Sequence, residues 1–332
     1  MHSNNLILSI CIPTYNRKEK LSQQVLDLLS DRDNRFNVVV SDNSSTDGTF
    51  EFLLSIKDER LLVFKQEFVS SSRNISNVLM QATGKFALLL LDKDRIDISF
   101  LRKLIDELEQ TNASFGYCSL NGEPADSPSE FLECKKTSFL QMSYSCKHPS
   151  GKFYLTEDLK FELSKCESLI ESQFPFLYDI CDAHFASKQN GLIIRCPVVC
   201  TETEDEAANI KSYTYTEDNL WFSPMQTEKR CQVFLNDLSN LIVKEDWEKS
   251  MRNVLVRRCF YGATIGYAKV LNNKKICDHY GIASRKVTFT EQMRYSNRIY
   301  RHILRGKNKV GVLTCTGHYI VNTAMIVASA IR

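Results

Sequence analysis

Short apolar runs alternate with helical patterns over the first 120 residues, and this alternation constrains the fold more than any other feature. The runs Leu6–Ile12, Phe36–Val40, Leu61–Phe64 and Phe86–Leu91 have the length of buried strands. The segments between them, and residues 101–108 after them, repeat apolar side chains at the spacing of a helix face. A repeated β-α-β order predicts an α/β fold with a mostly parallel sheet and helices on both faces.

Polar residues directly follow three of these runs. Because ligands of parallel sheets lie at the carboxyl ends of the strands, we expect a site built from residues 13–17, 41–45 and 92–94. Asp92 and Asp94 offer the hard oxygen ligands that Mg²⁺ and Mn²⁺ prefer and share with substrate phosphates. An isolated Asp-x-Asp pair is commonly a solvated turn, but alignment with two other polar strand ends favours a cation site.

The segment after the second run is more polar than helix capping requires. A single Ser, Thr or Asp would cap the helix that begins near Thr49, so capping does not explain the whole cluster at 43–48. We expect Asp42 to hold the polar edge of a base and Tyr15 to contact its face.

Four segments in this order resemble glycosyltransferase family 2, a large group of GT-A-fold enzymes that use nucleotide-activated sugars. The segments are SICIPTYNR at 9–17, VSDNSSTDGT at 40–49, RNISNVLMQATGKF at 73–86 and LLLDKD at 89–94. The resemblance covers about residues 6–120 and implies a GT-A, Rossmann-like sheet. Within this family, the chain resembles in particular the bacterial transferases of O-antigen and capsular polysaccharide.

The resemblance also implies roles for individual residues. Asp42 would bind the base, usually uracil, Asp92 would approach the ribose, and Asp94 would hold a metal that bridges the diphosphate. The metal, Mg²⁺ or Mn²⁺, would stabilise the charge of the departing nucleoside diphosphate. The donor-binding residues expected on this basis are Pro13, Thr14, Tyr15, Asn16, Arg17, Asp42, Asn43, Arg73, Asp92 and Lys93, with Asp94 and Asp92 at the metal.

An inverting transfer needs a general base, which the family usually supplies from a Glu-Asp motif. That motif opens a helix that ends in a glycine followed by a strand, and residues 177–194 match this order. Asp179 is the first choice for the base, although Tyr178 stands where the family has Glu. Asp182 is the alternative, and the Glu-Asp pair at 217–218 ranks third because no such helix-glycine-strand order follows it.

The segment His148-Pro149-Ser150-Gly151 lies in the region where the family builds its acceptor site. It is similar to a segment of some bacterial surface-polysaccharide transferases. We therefore expect an acceptor-side loop that uses His148 and Ser150. A plain turn built by proline and glycine is the alternative interpretation.

The C-terminal region is basic. From Lys244 to Arg332 the chain has 17 Lys/Arg and 5 Asp/Glu, a net charge of +12, whereas the rest of the chain has −10. Such an asymmetry predicts an anionic partner. Four arginines recur at helical spacing and would form one stripe beside an apolar face, a pattern typical of helices on anionic membranes; a solvated face packed on its own domain is the alternative. The stripe consists of Arg294, Arg298, Arg301 and Arg305.

Residues 310–331 lack Asp, Glu, Lys and Arg and are long enough to cross a bilayer. Gly311, His318, Asn322 and three threonines weaken that interpretation. We expect a helix that lies shallowly in the membrane interface or against its own domain. The predicted domains are a nucleotide-sugar-binding half at 1–120, an acceptor-binding half at 121–243 and a helical basic region at 244–332.

The composition limits the class of function. Twelve cysteines without a secretory signal predict reduced thiols in a cytoplasmic protein. No QxxRW motif of processive synthases occurs. We therefore predict a non-processive, metal-dependent, inverting glycosyltransferase on the inner face of the cytoplasmic membrane. It would use a UDP-sugar and a lipid-linked acceptor such as a polyprenyl diphosphate glycan, in O-antigen or capsule assembly.

Two other classes remain open. A sugar-phosphate nucleotidyltransferase shares a related fold, but the position of its glycine-rich loop reads Pro-Thr-Tyr-Asn-Arg here. A non-catalytic nucleotide- or glycan-binding protein is the second alternative. Nucleic acid is not an expected partner, because aromatic stacking motifs and an RNA-binding fingerprint are absent from the sequence.

Overall fold

A computed structural model describes residues 6–123, 128–145, 147–167, 170, 177–201, 216–241, 243–306 and 310–331 of the chain. The chain divides into two compact units, Met1–Glu202 and Thr203–Arg332. The boundary expected at residue 120 thus lies inside the first unit, at the end of one of its strands. This division into two units does not test the functional roles predicted for residues 1–120, 121–243 and 244–332, which stay predictions.

The first unit is one mixed sheet with helices between its strands, so the α/β class is confirmed. Its elements are β1 Leu8–Thr14, α1 Lys18–Ser30, β2 Phe36–Asp42, α2 Thr49–Ser55, β3 Leu61–Lys65, α3 Ser71–Met80, β4 Phe86–Leu89, β5 Arg95–Ile96, α4 Ile98–Gln110, β6 Phe115–Leu120, β7 Glu130–Leu132, α5 Lys136–Met142, β8 Lys152–Leu155, α6 Thr156–Lys165, α7 Leu177–Ala186 and β9 Gly191–Cys200. The strand order is β3-β2-β1-β4-β8-β6-β9-β5, and β7 pairs with β9.

The four strands predicted from apolar runs form the parallel half of this sheet. Strands β1 and β2 are buried along their whole length, as expected for strands covered by helices on both faces. β1 pairs in parallel with β2 on one side and with β4 on the other. Both β1 and β2 run two residues beyond the apolar runs, so that Thr14 pairs with Asp42 in register. The sheet therefore carries polar side chains up to its carboxyl edge.

The other half of the sheet is mixed. β8 lies antiparallel between β4 and β6, and β9 continues in parallel with β6. Gly116 on β6 permits this last pairing, since a Cβ atom there would lie 1.8 Å from the carbonyl oxygen of Leu192. Helix α7 precedes β9, which gives the expected order of helix, glycine and strand.

The second unit is helical in its described residues, as predicted for the C-terminal region. Thr288 and Glu291 form a capping box at the start of the helix that carries the arginine stripe. A short π-helical segment, Gly262–Gly266, continues the helix Glu245–Tyr261. The helices are α8 Pro224–Leu238, α9 Glu245–Tyr261, α10 Tyr267–Leu271, α11 Lys274–Tyr280, α12 Phe289–Arg305 and α13 Val312–Ile331.

Asn322 of helix α13 makes two buried hydrogen bonds within this unit. The side chain of Asn322 donates to Ser296 Oγ of α12 at 3.2 Å and accepts from Thr264 Oγ1 at 3.1 Å. Residues Val312–Ala330 are long and apolar enough to cross a membrane, and 17% of the most apolar stretch is buried in the protein. The two hydrogen bonds of Asn322 hold this helix against its neighbours.

Candidate active site

The carboxyl ends of β1, β2 and β4 bring the predicted donor-site residues together. Thr14 Oγ1 donates to Asp92 Oδ2 at 3.0 Å, and the backbone N–H of Tyr15 approaches the same oxygen at 3.4 Å. Asn43 N–H donates to the carbonyl of Thr14 at 3.0 Å. The ends of three neighbouring strands are thus joined by direct hydrogen bonds.

Asp42 is a buried carboxylate at the end of β2. Its Oδ2 accepts from the N–H of Ser45 at 3.1 Å. Its Oδ1 is buried and has no hydrogen-bond partner among the described residues. A buried carboxylate oxygen without a donor is costly, so a ligand N–H at this position would be favourable.

The loops that follow β1 and β2 are fastened to each other. Asn16 has a left-handed φ of 52°, which places its N–H on Ser45 Oγ at 2.9 Å and its Oδ1 under Thr46 N–H at 2.8 Å. Asn43 exchanges two hydrogen bonds of 2.9 Å with the backbone of Val69. These asparagines hold the loops around the site together, and their predicted contact with the donor stays a prediction.

The remaining predicted donor residues lie in the same unit. Pro13 pairs with Ser41 within the sheet, and Lys93 is half-buried between the two aspartates. Arg73, in the first turn of α3, forms an ion pair of 2.7 Å with Glu167. The ring of Tyr15 packs edge-on against Phe68, with the centroids 5.1 Å apart.

Asp94 lies next to the segment 148–151. Its Oδ2 accepts from Ser150 Oγ at 2.5 Å, and His148 Nε2 lies 3.4 Å from the same oxygen. The two residues expected in an acceptor-side loop therefore contact the residue expected at the metal. Burial lowers the pKa of His148, against the opposing attraction of Asp94.

The electrostatics of Asp92 fit a bound cation. Burial raises the pKa of Asp92 to about 6, and the charge of Asp94 adds to this rise. The charge of Arg17 and the hydrogen bonds from Thr14 and Tyr15 lower the pKa and oppose the rise. Among the described residues no three His, Cys, Asp or Glu side chains converge into a metal cluster. A cation here would complete its shell with substrate phosphates and water, as Mg²⁺ commonly does.

The two candidates for the catalytic base lie on α7 and are buried. Lys152 Nζ is 3.3 Å from Asp179 Oδ1 and contacts Asp182 Oδ2, and Tyr154 donates its hydroxyl to Asp182 Oδ1 at 2.7 Å. Burial alone would lower the pKa of Lys152, but Asp182 and Asp179 together raise it. Burial also raises the pKa of Asp182, opposed by Lys152. The lysine is thus held charged between two carboxylates.

The third candidate for the base is Asp218 of the Glu-Asp pair at 217–218, and this pair has a different environment. Glu217 belongs to the second unit and accepts from Arg285 at 2.8 Å and from the Tyr267 hydroxyl at 3.2 Å. Its pKa is lowered chiefly by Arg285. The contacts of Glu217 are those of a structural ion pair.

Residues 9–157 match the family model of glycosyl transferase family 2. The resemblance drawn from the four sequence segments is thereby confirmed. The matched region continues past residue 120 and includes the segment 148–151.

Similar proteins include bacterial glycosyltransferases. Two Escherichia coli proteins, WfaP and WfgD, are named UDP-Glc:alpha-D-GlcNAc-diphosphoundecaprenol beta-1,3-glucosyltransferase. They are 26% and 27% identical over 33% and 34% of this chain, and 45% and 46% of their own lengths. The abequosyltransferase RfbV of Salmonella typhimurium is 44% identical over 52 residues, 14% of this chain and 15% of its own length. The chain spans about half the length of the two E. coli relatives.

The fold is similar to that of a solved structure over nearly the whole chain. S. aureus TarS 1–349 in complex with UDP gives a TM-score of 0.61 at 15% identity, covering 98% of this chain and 91% of that one. The likeness extends over the second unit as well as the first. The predicted GT-A fold with a helical C-terminal region is confirmed.

Sequence reasoning missed two features of the site. Lys152 gave little signal, because a lysine that opens a strand usually points to solvent, whereas here it is 1% exposed. Phe68 was also missed, although its ring is 65% exposed beside Tyr15. The sequence alone does not show that an exposed aromatic side chain in one loop packs against Tyr15 in another loop.

Proposed function

We propose that the chain is a non-processive glycosyltransferase that moves one sugar from a nucleoside-diphosphate donor, with UDP preferred. The observation that carries the proposal is the group Thr14, Asp42, Asp92 and Asp94 at adjacent strand ends within a family 2 domain. The unsatisfied Oδ1 of Asp42 supports recognition of a base N–H, such as that of uracil. Tyr15 and Phe68 would contact the face of the base.

A divalent cation fits the two aspartates, and Asp94 and Asp92 would hold it. When bound, Mg²⁺ or Mn²⁺ neutralises charge that develops on the diphosphate leaving group. Arg17 and Lys93 add positive charge near the same carboxylates and would contact the phosphates. Water and phosphate oxygens would supply the other ligands.

Asp179 is the proposed base of an inverting transfer. The acceptor hydroxyl oxygen forms a bond to the anomeric carbon, the bond from that carbon to the diphosphate breaks, and the hydroxyl proton goes to Asp179. The ammonium group of Lys152, 3.3 Å from Asp179 Oδ1, offsets the negative charge of this carboxylate before the step. Because Asp179 is fully buried, acceptor binding has to open a path to it. Asp182 remains the alternative base.

The names of the relatives support a proposal for the acceptor class. Two of them are named for a diphosphoundecaprenol-linked GlcNAc acceptor, and a third for an abequosyl transfer. We infer a lipid-linked glycan acceptor at the cytoplasmic face of the membrane, in the assembly of O-antigen or capsule. A sugar bound to a lipid diphosphate requires an enzyme that reaches the bilayer surface.

The second unit supplies a surface suited to that task. The outer face of α13 leaves large apolar side chains exposed, with Leu313 89%, Ile320 60% and Val321 58% accessible. Arg257 and Arg258 line an apolar cleft of about 240 Å³ beside this helix. Within the arginine stripe of α12, Arg298 forms an ion pair of 2.8 Å with Glu228, so it has a structural partner. We propose peripheral attachment to an anionic membrane through α13 and the remaining arginines.

The experiment that tests the function is a turnover assay with UDP-sugars and a GlcNAc-diphosphate-lipid acceptor. We expect UDP release that depends on the acceptor and on Mn²⁺, and Asp94→Ala should abolish it. Release of UDP at the same rate without acceptor would point to a different reaction. Full activity of Asp94→Ala would remove the metal role.

A non-catalytic nucleotide-binding protein is the second candidate. The observation that favours it is the burial of both Asp179 and Asp182 against Lys152. UDP binding without turnover of any donor and acceptor pair would support it. Acceptor-dependent turnover would exclude it.

A further inference from the structure

The segment 148–151 holds the carboxylate of Asp94 from two sides. Asp94 is fully buried, and its Oδ2 receives the Ser150 hydroxyl at 2.5 Å and faces His148 Nε2 at 3.4 Å. Ser150 is itself buried, whereas the His148 side chain is 26% exposed. The contacts join a loop to a residue that lies more than fifty positions earlier in the chain.

Backbone groups fix the direction of both contacts. The N–H of Leu91 donates to Ser150 Oγ at 2.9 Å, so the hydroxyl hydrogen is directed to Asp94. The N–H of Ser150 donates to His148 Nδ1 at 3.2 Å, so Nδ1 carries a lone pair. In this neutral imidazole the proton is on Nε2, which faces Asp94. His148 is therefore a donor to the carboxylate and has no lone pair left for a metal.

The same serine secures the whole turn that carries the two aspartates. Asp94 N–H donates to the Leu91 carbonyl at 3.0 Å, which closes the turn, and Ser150 Oγ contacts both of its ends. Gly151 makes the loop possible, since its φ is +90° and a Cβ atom would lie 3.0 Å from Val199 Cγ2. Gly151 also donates its N–H to the Leu89 carbonyl of β4 at 2.9 Å.

We propose that Ser150 and His148 are positioning residues that fix the orientation of the Asp94 carboxylate for the divalent cation. This inference rests on the proposed cation role of Asp94. It assigns the segment 148–151 to the donor side of the site and replaces the acceptor-side role expected from the sequence. Hydrogen bonds from a second layer of residues commonly contribute about 10- to 100-fold to metal affinity.

The test measures Mn²⁺ affinity of the full chain directly, by calorimetry and by the electron paramagnetic resonance signal of free Mn²⁺. Ser150→Ala and His148→Ala should each weaken Mn²⁺ binding, with about 10- to 100-fold as the expected range for the serine. His148→Gln keeps an N–H donor, so it should bind Mn²⁺ more tightly than His148→Ala and close to the wild-type affinity. A purely structural role for His148 would not predict this recovery. Binding of UDP without metal should stay at the wild-type level.

Ser119→Ala is the matched control, because Ser119 is also a buried serine and its hydroxyl has no hydrogen-bond partner among the described residues. It should leave Mn²⁺ affinity unchanged. His148→Ala keeps the proposal testable if Ser150→Ala does not fold, since its side chain is partly exposed.

Wild-type Mn²⁺ affinity in both alanine variants would overturn the inference and leave the proposed function standing. Unchanged Mn²⁺ affinity together with a raised KM for the acceptor would overturn it in favour of an acceptor-side loop. If Asp94→Asn also leaves Mn²⁺ affinity unchanged, the cation does not bind at Asp94. The metal part of the proposed function then fails together with this inference.

Discussion

Asp42 gives the sharpest prediction at the scale of single residues. Its buried Oδ1 has no partner among the described residues, so a base N–H would form a charge-assisted hydrogen bond there. Asp42→Ala should weaken UDP binding by about 10- to 100-fold, the equivalent of about 1.5–3 kcal/mol for a hydrogen bond to a charged group. Calorimetric titration measures this, with the exposed Asp106→Ala as control. Equal affinity in both variants would refute base recognition by Asp42.

Replacing each candidate aspartate by asparagine tests which of them is the catalytic base. Asp179→Asn should reduce the rate of transfer by about 100- to 10,000-fold, the usual contribution of general base catalysis, while donor binding persists. Asp182→Asn should have the smaller effect on the rate. Single-turnover kinetics and UDP titration separate the two quantities. If only Asp182→Asn stops transfer, Asp182 is the base.

Glu162 predicts how stability depends on pH. Its hydrogen bond to His184, 2.6 Å long, lowers its pKa to about 2, below the ordinary value of 4.5. Because the pKa is lower in the folded state than in the unfolded chain, the ionised carboxylate stabilises the fold at pH values above about 4.5. This contribution is lost as the pH falls from about 4.5 towards 2. Urea unfolding of wild type and Glu162→Gln should therefore differ near pH 6 and converge near pH 2. A difference that is constant with pH would contradict the assignment.

At the scale of elements, the hydrophobic pattern predicted the strands that form because their own side chains are buried. The apolar runs 36–40 and 86–91 indicated strands because a buried strand must remove its side chains from water. β8 could not be predicted in the same way, because its four residues begin with a buried lysine whose partners, Asp179 and Asp182, lie on a distant helix. The contact of Ser150 with Asp94 is equally non-local. Spacing along the chain does not encode such pairs.

Helix α13 carries the prediction that belongs to this scale. Leu313→Glu combined with Val321→Glu should reduce sedimentation with anionic vesicles, because both side chains are exposed and a charge opposes insertion. Leu54→Glu places the same charge on an exposed leucine of α2 and should not reduce sedimentation. Unchanged sedimentation of the double variant would show that α13 does not contact the bilayer.

The arginine stripe of α12 needs a separate variant. Arg294, Arg301 and Arg305 can be changed to glutamate while Arg298 keeps its ion pair with Glu228. Each arginine near an anionic surface contributes about 1 kcal/mol, so we expect a strong loss of vesicle binding. Wild-type binding by the triple variant would favour a solvated face packed on its own unit.

At the scale of the whole molecule, the basic C-terminal region and the rest of the chain carry opposite net charge and separate kinds of surface. The basic region at 244–332 has a net charge of +12, and the rest of the chain has −10. Electrostatic attachment is screened by salt, whereas recognition of a base inside a buried site is screened much less. Raising the salt concentration should release the protein from anionic vesicles before it releases UDP. Loss of both at the same salt concentration would argue against two independent surfaces.

The central claim is that the strand-end site of the first unit binds a nucleoside diphosphate with a cation held by Asp92 and Asp94. The most direct test is a calorimetric panel of UDP, GDP, CMP and dTDP, each with and without Mn²⁺. We predict that UDP binds most tightly, that Mn²⁺ strengthens its binding, and that Asp94→Asn removes the effect of Mn²⁺. Failure of all four nucleotides to bind, with or without Mn²⁺, would contradict the account.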